Sequence, residues 1–290
     1  MAAVVLNGRA LARELREDLS LRVAAYVAQH NHTPTLGVIH VYGDKSAERY
    51  VRNLQVSCNR VGMNFKYYLL HHTATQRELE NAIYTFSSDD SVDGVLIQMP
   101  LPAKYDSAAA VSRLDHRKDI DGVHPINVGL LNQGKPSLVP NTPAGGMLIL
   151  QRYGIEVAGR DVAMIGRSAI VGGPMSTMLL NAEATVEICH RATRNLADKV
   201  RRADIVVTAA GKVDLVTGDM LKPGATVIDF GINVRPDGTI CGDVNYASAS
   251  EVAGAITPVP GGTGPVTTMV LLDNVLKAAI ATHTDTPDAV

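Results

Sequence analysis

A strand, a glycine-rich turn and the start of a helix are encoded in residues 162–174, which constrain the fold more than any other stretch. An apolar, β-branched run ends at Gly166, two further glycines follow, and Pro174 then opens an apolar-periodic segment. Such a turn directs backbone N–H groups and the positive end of a helix dipole toward one point, which suits a pyrophosphate. Because Ser168 replaces the second glycine of the usual dinucleotide pattern, a βαβ unit that binds no ligand stays an alternative.

Arginines surround this predicted nucleotide turn. The next apolar run ends in Cys-His-Arg at residues 189–191, and in a doubly wound sheet that strand end lies beside the adenosine ribose. An NAD site usually has a carboxylate there, whereas this chain has Arg191, with Arg194 nearby and Arg167 in the first turn. Guanidinium groups suit a 2′-phosphate, so the sequence favours NADP over NAD. The alternative is that Arg191 and Arg194 are solvated loop charges.

Size and charge favour a globular protein that acts on a small molecule. The 290 residues are 46% hydrophobic, enough for one large domain or two ordinary ones. A formal net charge of −2 gives no electrostatic reason to expect nucleic acid or an anionic membrane as a partner. No cleavable leader and no run of about 18 apolar residues is found, so the expected location is the cytoplasm. The dispersed cysteines and histidines predict neither a disulfide framework nor a metal site.

The first half of the chain is predicted to be an α/β domain. Apolar β-branched runs at residues 35–41, 65–70 and 94–98 alternate with helical patterns, which is typical of a parallel sheet. An amphipathic helix over residues 7–30 precedes them. Ligands of such sheets bind beyond the carboxyl ends of the strands, so Gln98 becomes a candidate site residue.

The segment Lys-Asp-Ile-Asp-Gly at residues 118–122 is a second candidate. Its two acids flank one apolar residue, so only one of them is expected to point inward. Further on, Thr142 is expected to cap a helix running to about Tyr153, and the domain boundary is placed along that helix.

The second half repeats the alternation of strand and helix. Strands are predicted at residues 162–166, 184–188, 205–209, 226–229 and 255–256. Backbone at residues 231–233 could approach the nicotinamide. Residues 257–265 are expected to form a stiff loop, followed by a helix over 266–281 that packs back on the first domain, and then a disordered tail at 283–290.

These patterns predict an α/β protein with two α/β domains and a cleft between them. Residues 1–140 with 266–282 would form the substrate domain, and residues 141–265 a Rossmann-type dinucleotide-binding domain.

Several specific motifs, found in this order along the chain, resemble those of the methylenetetrahydrofolate dehydrogenase/cyclohydrolase family, known in bacteria as FolD. They lie at residues 97–102, 118–122, 166–174, 189–190, 229–233, 242–244 and 257–265. The resemblance implies NADP-dependent oxidation of 5,10-methylenetetrahydrofolate, then hydrolysis of the methenyl product to 10-formyltetrahydrofolate at the same site. It also implies a homodimer formed through the nucleotide domain.

The resemblance also assigns site residues. The dinucleotide is expected to bind to Gly166, Arg167, Ser168, Arg191 and Ile232. On the substrate side, Tyr50 would stack along the folate, Gln98 would sit by the reacting carbon and Asp121 would hold the pterin. The residues expected to border the substrate are Pro260, Gly261, Gly262 and Gly264. An ionised aspartate suits the amino and ring N–H donors of a pterin, although Asp121 as a loop acid stays an alternative.

One position departs from the family pattern. The family has a lysine four residues after the tyrosine, on the same face of a helix, whereas Leu54 stands at that spacing from Tyr50. The resemblance assigns that lysine, with Gln98, to the cyclohydrolase step; Leu54 can neither donate nor accept a proton, so this step is expected to be weak or absent. The alternative is that Leu54 belongs to the core and that Lys45 or Arg52 substitutes.

Two other classes of function stay open. Because the segment 44–56 departs from the family pattern, the chain could be a non-catalytic paralogue that binds NADP or folate. A different two-domain NADP oxidoreductase acting on a small acid would require a lysine and aspartate pair in the cleft of the first domain, and the sequence indicates no such pair there.

Overall fold

The computed structural model describes residues 3–43 and 45–283, apart from the side chains of Lys45 and Ser46. The strands are β1 (Val4–Val5), β2 (Thr35–Val41), β3 (Asn64–Leu70), β4 (Gly94–Ile97), β5 (Asp161–Ile165), β6 (Thr185–Cys189), β7 (Ile205–Thr208), β8 (Thr226–Asp229), β9 (Asn233–Val234), β10 (Ile240–Cys241) and β11 (Ala255–Ile256). The α-helices are α1 (Gly8–His30), α2 (Lys45–Val61), α3 (Gln76–Ser88), α4 (Ser107–Val111), α5 (Pro125–Asn132), α6 (Asn141–Arg152), α7 (Gly172–Asn181), α8 (Leu196–Arg202), α9 (Tyr246–Ala249) and α10 (Thr263–His283).

The chain divides into two compact units. One, here called the six-stranded unit, comprises the N-terminal residues through Arg13 and residues 142–267. The other, the three-stranded unit, comprises residues 14–141 and the chain from Thr268 onward. The expected assignment of the first residues to the substrate domain is therefore corrected, because β1 pairs in parallel with β11 and so joins the other unit.

The six-stranded unit is built on a parallel sheet with the strand order β1-β11-β8-β7-β5-β6. Its inner strands β7 and β8 are buried at every position, whereas the edge strand β6 is mostly exposed. Strands covered on both faces need continuous apolar runs, which is why these segments were visible in the sequence. The core packs Val206 and Val227 of the sheet against Val200 of α8.

The three-stranded unit contains a parallel sheet with the order β3-β2-β4. The central strand β2 is buried throughout, and Ile39 and Val95 pack against Leu79 of α3. Helix α10 contributes to this unit as expected, because the buried Asn274 donates from Nδ2 to the carbonyl oxygens of Ile120 and Val139, both at 3.0 Å.

Several element boundaries differ from the expectations. Helix α6 begins at Asn141, so Thr142 lies inside the helix rather than capping it. Helix α10 begins at Thr263, so the last part of the loop expected over residues 257–265 is helical. Strand β1, the β9–β10 hairpin and helices α4, α5 and α9 were not predicted. The predicted tail lies outside the described residues beyond His283, which itself ends α10.

Among residues 3–43 and 45–283, no helix combines the length and the apolar character needed to cross a lipid bilayer.

Candidate functional site

The glycine-rich turn follows β5 and is built by close backbone contacts. Gly166 has φ +117°, a left-handed conformation that favours glycine, and a Cβ added there would overlap the carbonyl oxygen of Ala209. A Cβ at Gly172 would in turn overlap the carbonyl of Gly166. The turn can therefore form only with glycine at these two positions.

Ser168 holds the entry to α7. Its Oγ accepts hydrogen bonds from the backbone N–H groups of Val171 and Gly172, at 3.2 and 3.4 Å. Val171, at the N-cap position, provides no side-chain cap. The turn was expected to direct its backbone N–H groups toward a pyrophosphate, but the N–H groups of Val171 and Gly172 are bound to Ser168 instead. A serine hydroxyl can accept two hydrogen bonds and donate one, so Ser168 can hold the turn and still donate to a ligand.

A cavity of about 480 Å³ opens at the carboxyl ends of three adjacent strands, β7, β5 and β6. Its polar lining includes four nitrogen-bearing side chains, those of Arg167, His190, Arg191 and Lys212. Apolar lining comes from residues such as Ile165, Leu196 and Leu215. Three predicted cofactor residues, Gly166, Arg167 and Arg191, therefore meet in one cavity that pairs apolar surface with cationic groups.

The other two predicted cofactor residues lie outside the lining of this cavity. Ser168 stands in the turn, and Ile232, on the loop after β8, has 74% of its surface exposed. The predicted role of Ile232 in binding the dinucleotide therefore stays a prediction.

Asp243 shapes the cavity from behind, and sequence analysis assigned it no role. Its buried carboxylate accepts hydrogen bonds from the N–H groups of Ala210 and Lys212, at 2.6 and 2.8 Å, and from Asn233 Nδ2 at 2.9 Å. Ala210 and Lys212 line the cavity, so this carboxylate positions the loop after β7. Asp243 lies in the family motif at residues 242–244, which could have identified it from the sequence.

A second buried carboxylate, Asp229, supports the first. It accepts from the N–H groups of Asp243 and Val244, at 3.1 and 2.9 Å, and from Thr208 Oγ1 at 2.9 Å. Burial raises the pKa of Asp229 above its usual value, while these hydrogen bonds act in the opposite direction. Two linked carboxylates therefore fix the loops that follow β7 and β8.

The predicted substrate loop at residues 258–264 belongs to the same six-stranded unit. Gly261 has φ +107°, and its carbonyl accepts from the N–H of Arg9 at 3.1 Å. A Cβ at Gly8 would overlap the carbonyl of Gly262, so the start of α1 packs directly on this loop. Pro260 and Gly264 are exposed, and a Cβ at Gly264 would meet nothing within 4 Å.

In the three-stranded unit, the structure places Tyr50 close to Asp121. Burial, followed by the charges of Asp121 and Cys58, raises the pKa of the partly buried Tyr50 hydroxyl above its usual range. Burial and the charge of Asp119 raise the pKa of Asp121 to about 6. Two residues that the resemblance assigned to the folate thus influence each other electrostatically.

Asp121 and Asp119 have different surroundings. Asp119 is fully buried and its Oδ2 accepts from the N–H of His124 at 2.7 Å and from Asn127 Nδ2 at 2.8 Å. Asp121 is partly buried and accepts from Asn141 Nδ2 at 2.7 Å. Asp119 thus holds neighbouring groups of the fold through Oδ2, although its buried Oδ1 has no hydrogen-bond partner among the described residues, whereas Asp121 is the more exposed of the two acids.

Asn141 and Asn274 form a relay behind Asp121 that sequence analysis missed. Asn274 Nδ2 lies 2.9 Å from Asn141 Oδ1 and shares its two hydrogens between this oxygen and the carbonyls of Ile120 and Val139, so that Asn141 Nδ2 faces Asp121. These two asparagines are 133 residues apart in the chain, and no local pattern connects them.

Gln98 lies directly after β4, as predicted. Its Nε2 donates to the carbonyl of Met99 at 2.7 Å, and its buried Oε1 has no hydrogen-bond partner among the described residues. A buried acceptor without a partner carries a desolvation penalty, so a ligand that donates a hydrogen bond here would relieve it.

Leu54 is a core residue, with only 1% of its surface exposed. Together with Val51, Cys58 and Val61 it forms the buried apolar stripe of α2, which agrees with the alternative left open from the sequence. Arg52 is exposed on the same helix, and its charge acts on Tyr67. The side chain of Lys45 lies outside the part of the chain described.

A parallel sheet with a glycine turn and a cationic, partly apolar cavity at its carboxyl edge defines a dinucleotide-binding α/β protein. Two family models then match the chain: the catalytic domain of tetrahydrofolate dehydrogenase/cyclohydrolase over residues 6–121, and the NAD(P)-binding domain of the same family over residues 140–283. The chain belongs to the tetrahydrofolate dehydrogenase/cyclohydrolase family and is an enzyme of that family. The resemblance, the α/β fold class and the predicted cofactor, NADP, are confirmed at this level.

Individual relatives agree with the family models. The chain is 50% identical over 278 residues to the bifunctional protein FolD of Chloroflexus aurantiacus, covering 96% of this chain and 98% of the relative. The crystal structure of the bifunctional FolD of Campylobacter jejuni superposes with a TM-score of 0.95 at 41% identity, covering 97% of this chain and 99% of that one. The Trypanosoma brucei FolD structure, complexed with NADP and an inhibitor, has a TM-score of 0.92 at 37% identity, with coverages of 96% and 97%.

Proposed function

We propose that this chain oxidises 5,10-methylenetetrahydrofolate to the methenyl form with NADP, in one-carbon metabolism, and that its cyclohydrolase step is weak or absent. Family membership supports the dehydrogenase part of this proposal. The observation that carries the second part is the residue type at position 54: Leu54 stands four residues after Tyr50 on α2, where the family has its lysine, and it has no group that can move a proton.

The cavity of the six-stranded unit fits a phosphorylated dinucleotide. Apolar lining beside Leu196 suits an adenine ring, and Arg167 and Arg191 provide planar donor forks for phosphate oxygens. Lys212 adds a further cation whose backbone is fixed by Asp243. These groups would hold the 2′-phosphate of NADP, for which an NAD site has no need.

The residues of the three-stranded unit fit a reduced pterin. Asp121 can accept hydrogen bonds from amino and ring N–H groups when it is ionised, and with a pKa of about 6 it is mostly ionised at neutral pH. Asn141 fixes its orientation. The unpartnered Oε1 of Gln98 offers a further acceptor for a substrate donor.

When bound, NADP supplies a nicotinamide ring that accepts a hydride from the substrate methylene carbon, leaving the methenyl cation and NADPH. The protein has to position the substrate and exclude water, because hydride transfer depends on close approach of the two carbons. The hydroxyl of Tyr50 is neutral at neutral pH, and this side chain would contribute an aromatic face, while Asp121 would fix the pterin against rotation.

Hydrolysis of the methenyl product requires a group that moves protons to or from water and the bridging nitrogen. Leu54 has no such group, and the exposed Arg52, two residues from Tyr50 on α2, is turned about 200° around the helix from it. The influence of Arg52 on Tyr67 of the edge strand β3 supports the same conclusion. Arg52 is therefore a poor substitute for the family lysine.

The test is to restore the lysine. Leu54→Lys puts an amine at a buried position and should lower the free energy of unfolding. In protein that stays folded, it should raise the rate of methenyl-tetrahydrofolate hydrolysis by about 10²-fold or more, the usual contribution of a positioned proton-transfer group, while NADPH formation changes little. Leu54→Met is the matched control, because it keeps an apolar side chain of similar volume and should leave hydrolysis at the wild-type level. Circular dichroism on both variants checks that the helix is intact.

A folded Leu54→Lys protein that hydrolyses no faster than Leu54→Met would show that Leu54 is not at the position of the catalytic lysine. A wild-type chain that binds NADP without oxidising the folate would instead favour the non-catalytic paralogue.

We also propose a homodimer in the cytoplasm. The exposed edge strand β6, with 44% of Ile188 accessible, supports association through the six-stranded unit, since free sheet edges readily pair with another chain.

A further inference from the structure

Three side chains converge in the three-stranded unit at a place that plays no part in the proposed function. The Nε2 atom of His32 lies 3.0 Å from Oδ1 and 2.9 Å from Oδ2 of Asp93. The Nε2 atom of His283 lies 3.2 Å from the same Oδ1, and the two imidazole rings are 4.2 Å apart between centroids. Two histidines and a carboxylate thus direct ligand atoms at one point, within 4.8 Å of one another.

Asp93 is held rigidly and is almost completely buried. Its side chain is 1% exposed, its Oδ2 accepts from the N–H of Thr35 at 2.7 Å, and its own N–H donates to the Thr35 carbonyl at 3.0 Å. Within the described part of the chain, the ion pairs recorded for Asp93 involve only His32 and His283. Its charge is felt nearby, because burial and then Asp93 raise the pKa of Tyr26 to about 12.

A buried carboxylate with two imidazole partners has the donor set of a transition-metal site, although it also interacts through its charge with Lys118. Imidazole nitrogens and carboxylate oxygens bind Zn²⁺ at about 2.0–2.2 Å, which places tetrahedral ligand atoms about 3.3 Å apart. The separations of 3.0 and 3.2 Å from Asp93 Oδ1 to the two Nε2 atoms are close to that value. The Thr35 N–H would remain on Oδ2 as an outer-shell partner that orients the carboxylate.

We propose that His32, Asp93 and His283 bind one zinc ion through the two Nε2 atoms and Asp93 Oδ1. His32 and His283 are 23% and 28% exposed, so solvent can reach the site and a water can complete the coordination. The cavity described above belongs to the other unit, so this site is distinct from it.

The proposed zinc ion would join three separate segments of the three-stranded unit. His32 follows the end of α1, Asp93 immediately precedes β4, and His283 ends α10. Sequence analysis expected no metal ligands because these residues are 61 and 190 positions apart, far from any ligand motif. Zinc is therefore expected to stabilise the docking of the C-terminal part of α10.

The test is a titration of the full chain with ZnCl₂ after removal of metals with a chelator. Wild-type protein should bind one Zn²⁺ per chain by calorimetry, and its melting temperature should rise with zinc concentration, because a ligand of the native state stabilises it. His32→Ala and His283→Ala should each weaken binding more than about 100-fold, since the loss of an outer-shell partner alone costs 10–100-fold. Both histidines are partly exposed, so these variants are expected to fold.

The matched control is the double variant His71→Ala/His72→Ala. These two imidazoles are also in close ring contact, 4.1 Å between centroids, but they are exposed and belong to no described ligand cluster. The control should keep wild-type zinc affinity and the wild-type thermal shift. Co²⁺ in place of zinc should give the visible absorption of a four-coordinate site in the wild type and the control only.

Two results would overturn the proposal. One is wild-type protein that binds no zinc at micromolar concentrations, which would leave a histidine–carboxylate hydrogen-bonded cluster. The other is zinc binding that His32→Ala and His283→Ala leave unchanged, which would indicate an adventitious ion only. Dehydrogenase activity should be the same in all of these variants, so failure of this proposal is distinguishable from failure of the proposed function.

Discussion

The two units of this molecule position their candidate ligand groups in different ways. In the six-stranded unit the site is made largely of backbone: Gly166 and Gly172 are in contact with carbonyl groups, and Asp229 and Asp243 fix the loops through N–H groups. In the three-stranded unit the candidate groups are side chains. The orientation of Asp121 depends on hydrogen bonds that link it to Asn141 of α6 and, through Asn141, to Asn274 of α10.

This difference bears on the departure from the family pattern at position 54. A backbone turn tolerates no larger residue, so its motif stays complete. A side chain on a helix can change while the helix keeps its apolar stripe, and Leu54 has joined that stripe. The glycine turn is therefore constrained by close backbone packing, whereas the residue at position 54 can change while α2 keeps its apolar stripe.

The largest expected effect comes from filling the backbone turn. Gly166→Ala should lower the free energy of unfolding by about 3 kcal/mol or more and abolish NADP binding, because the new Cβ overlaps the Ala209 carbonyl at a positive φ. Gly154→Ala is the control: it has φ +66° but meets nothing within 4 Å, so the expected cost is about 1 kcal/mol. Urea unfolding measures both, and equal losses would refute the role of the close contact.

A smaller effect, of opposite sign, is expected on the substrate side. The folded-state pKa of Asp121, about 6 against an ordinary 3.8, means that its ionised form costs stability above pH 6 and that this cost disappears as the pH falls toward 4. Asp121→Asn keeps an oxygen for Asn141 and should stabilise the protein by about 1–3 kcal/mol at pH 8, after a discount for partial exposure. The gain should shrink by about half at pH 5, and substrate affinity should fall.

The control for that measurement is Asp237→Asn. Hydrogen bonds from Thr239 lower the pKa of this exposed carboxyl, so its replacement should give no gain at any pH. If Asp121→Asn raised the free energy of unfolding by the same amount at pH 5 and at pH 8, the ionised form of Asp121 would not be what costs stability.

The smallest effect is expected at the rim of the cofactor cavity. Arg191→Ala should weaken NADP binding about tenfold, or about 1.4 kcal/mol, and leave NAD binding nearly unchanged, because only NADP has a 2′-phosphate. Arg194→Ala, three residues further and outside the cavity lining, is the matched control and should change neither affinity. Parallel losses for NADP and NAD would show that Arg191 contacts the shared pyrophosphate instead.

Much of the fold could be predicted because buried parallel strands leave continuous apolar runs. The bounds of β2, β8 and β11 match the expected ones, since each of these segments is bounded by polar or turn-forming residues. Strand β1 was missed, and its pairing with β11 moved the first residues of the chain into the six-stranded unit.

The candidate site residues were predictable only where a local sequence pattern marks them. The turn at Gly166 and the strand-end residue Gln98 were both visible, because position after a strand predicts exposure at the sheet edge. The Asn141–Asn274 relay was not, since its members meet only through tertiary packing. For Leu54, the resemblance identified the position in the sequence, but only the structure showed that the side chain lies in the core.

The most direct measurement of the central claim follows both reactions in wild-type protein with 5,10-methylenetetrahydrofolate and NADP. Absorbance separates NADPH formation from the appearance and decay of the methenyl product. We predict that NADPH and methenyl-tetrahydrofolate accumulate together and that the methenyl form then decays at the rate seen in buffer alone. Decay that accelerates in proportion to enzyme concentration would contradict the proposed loss of the second activity.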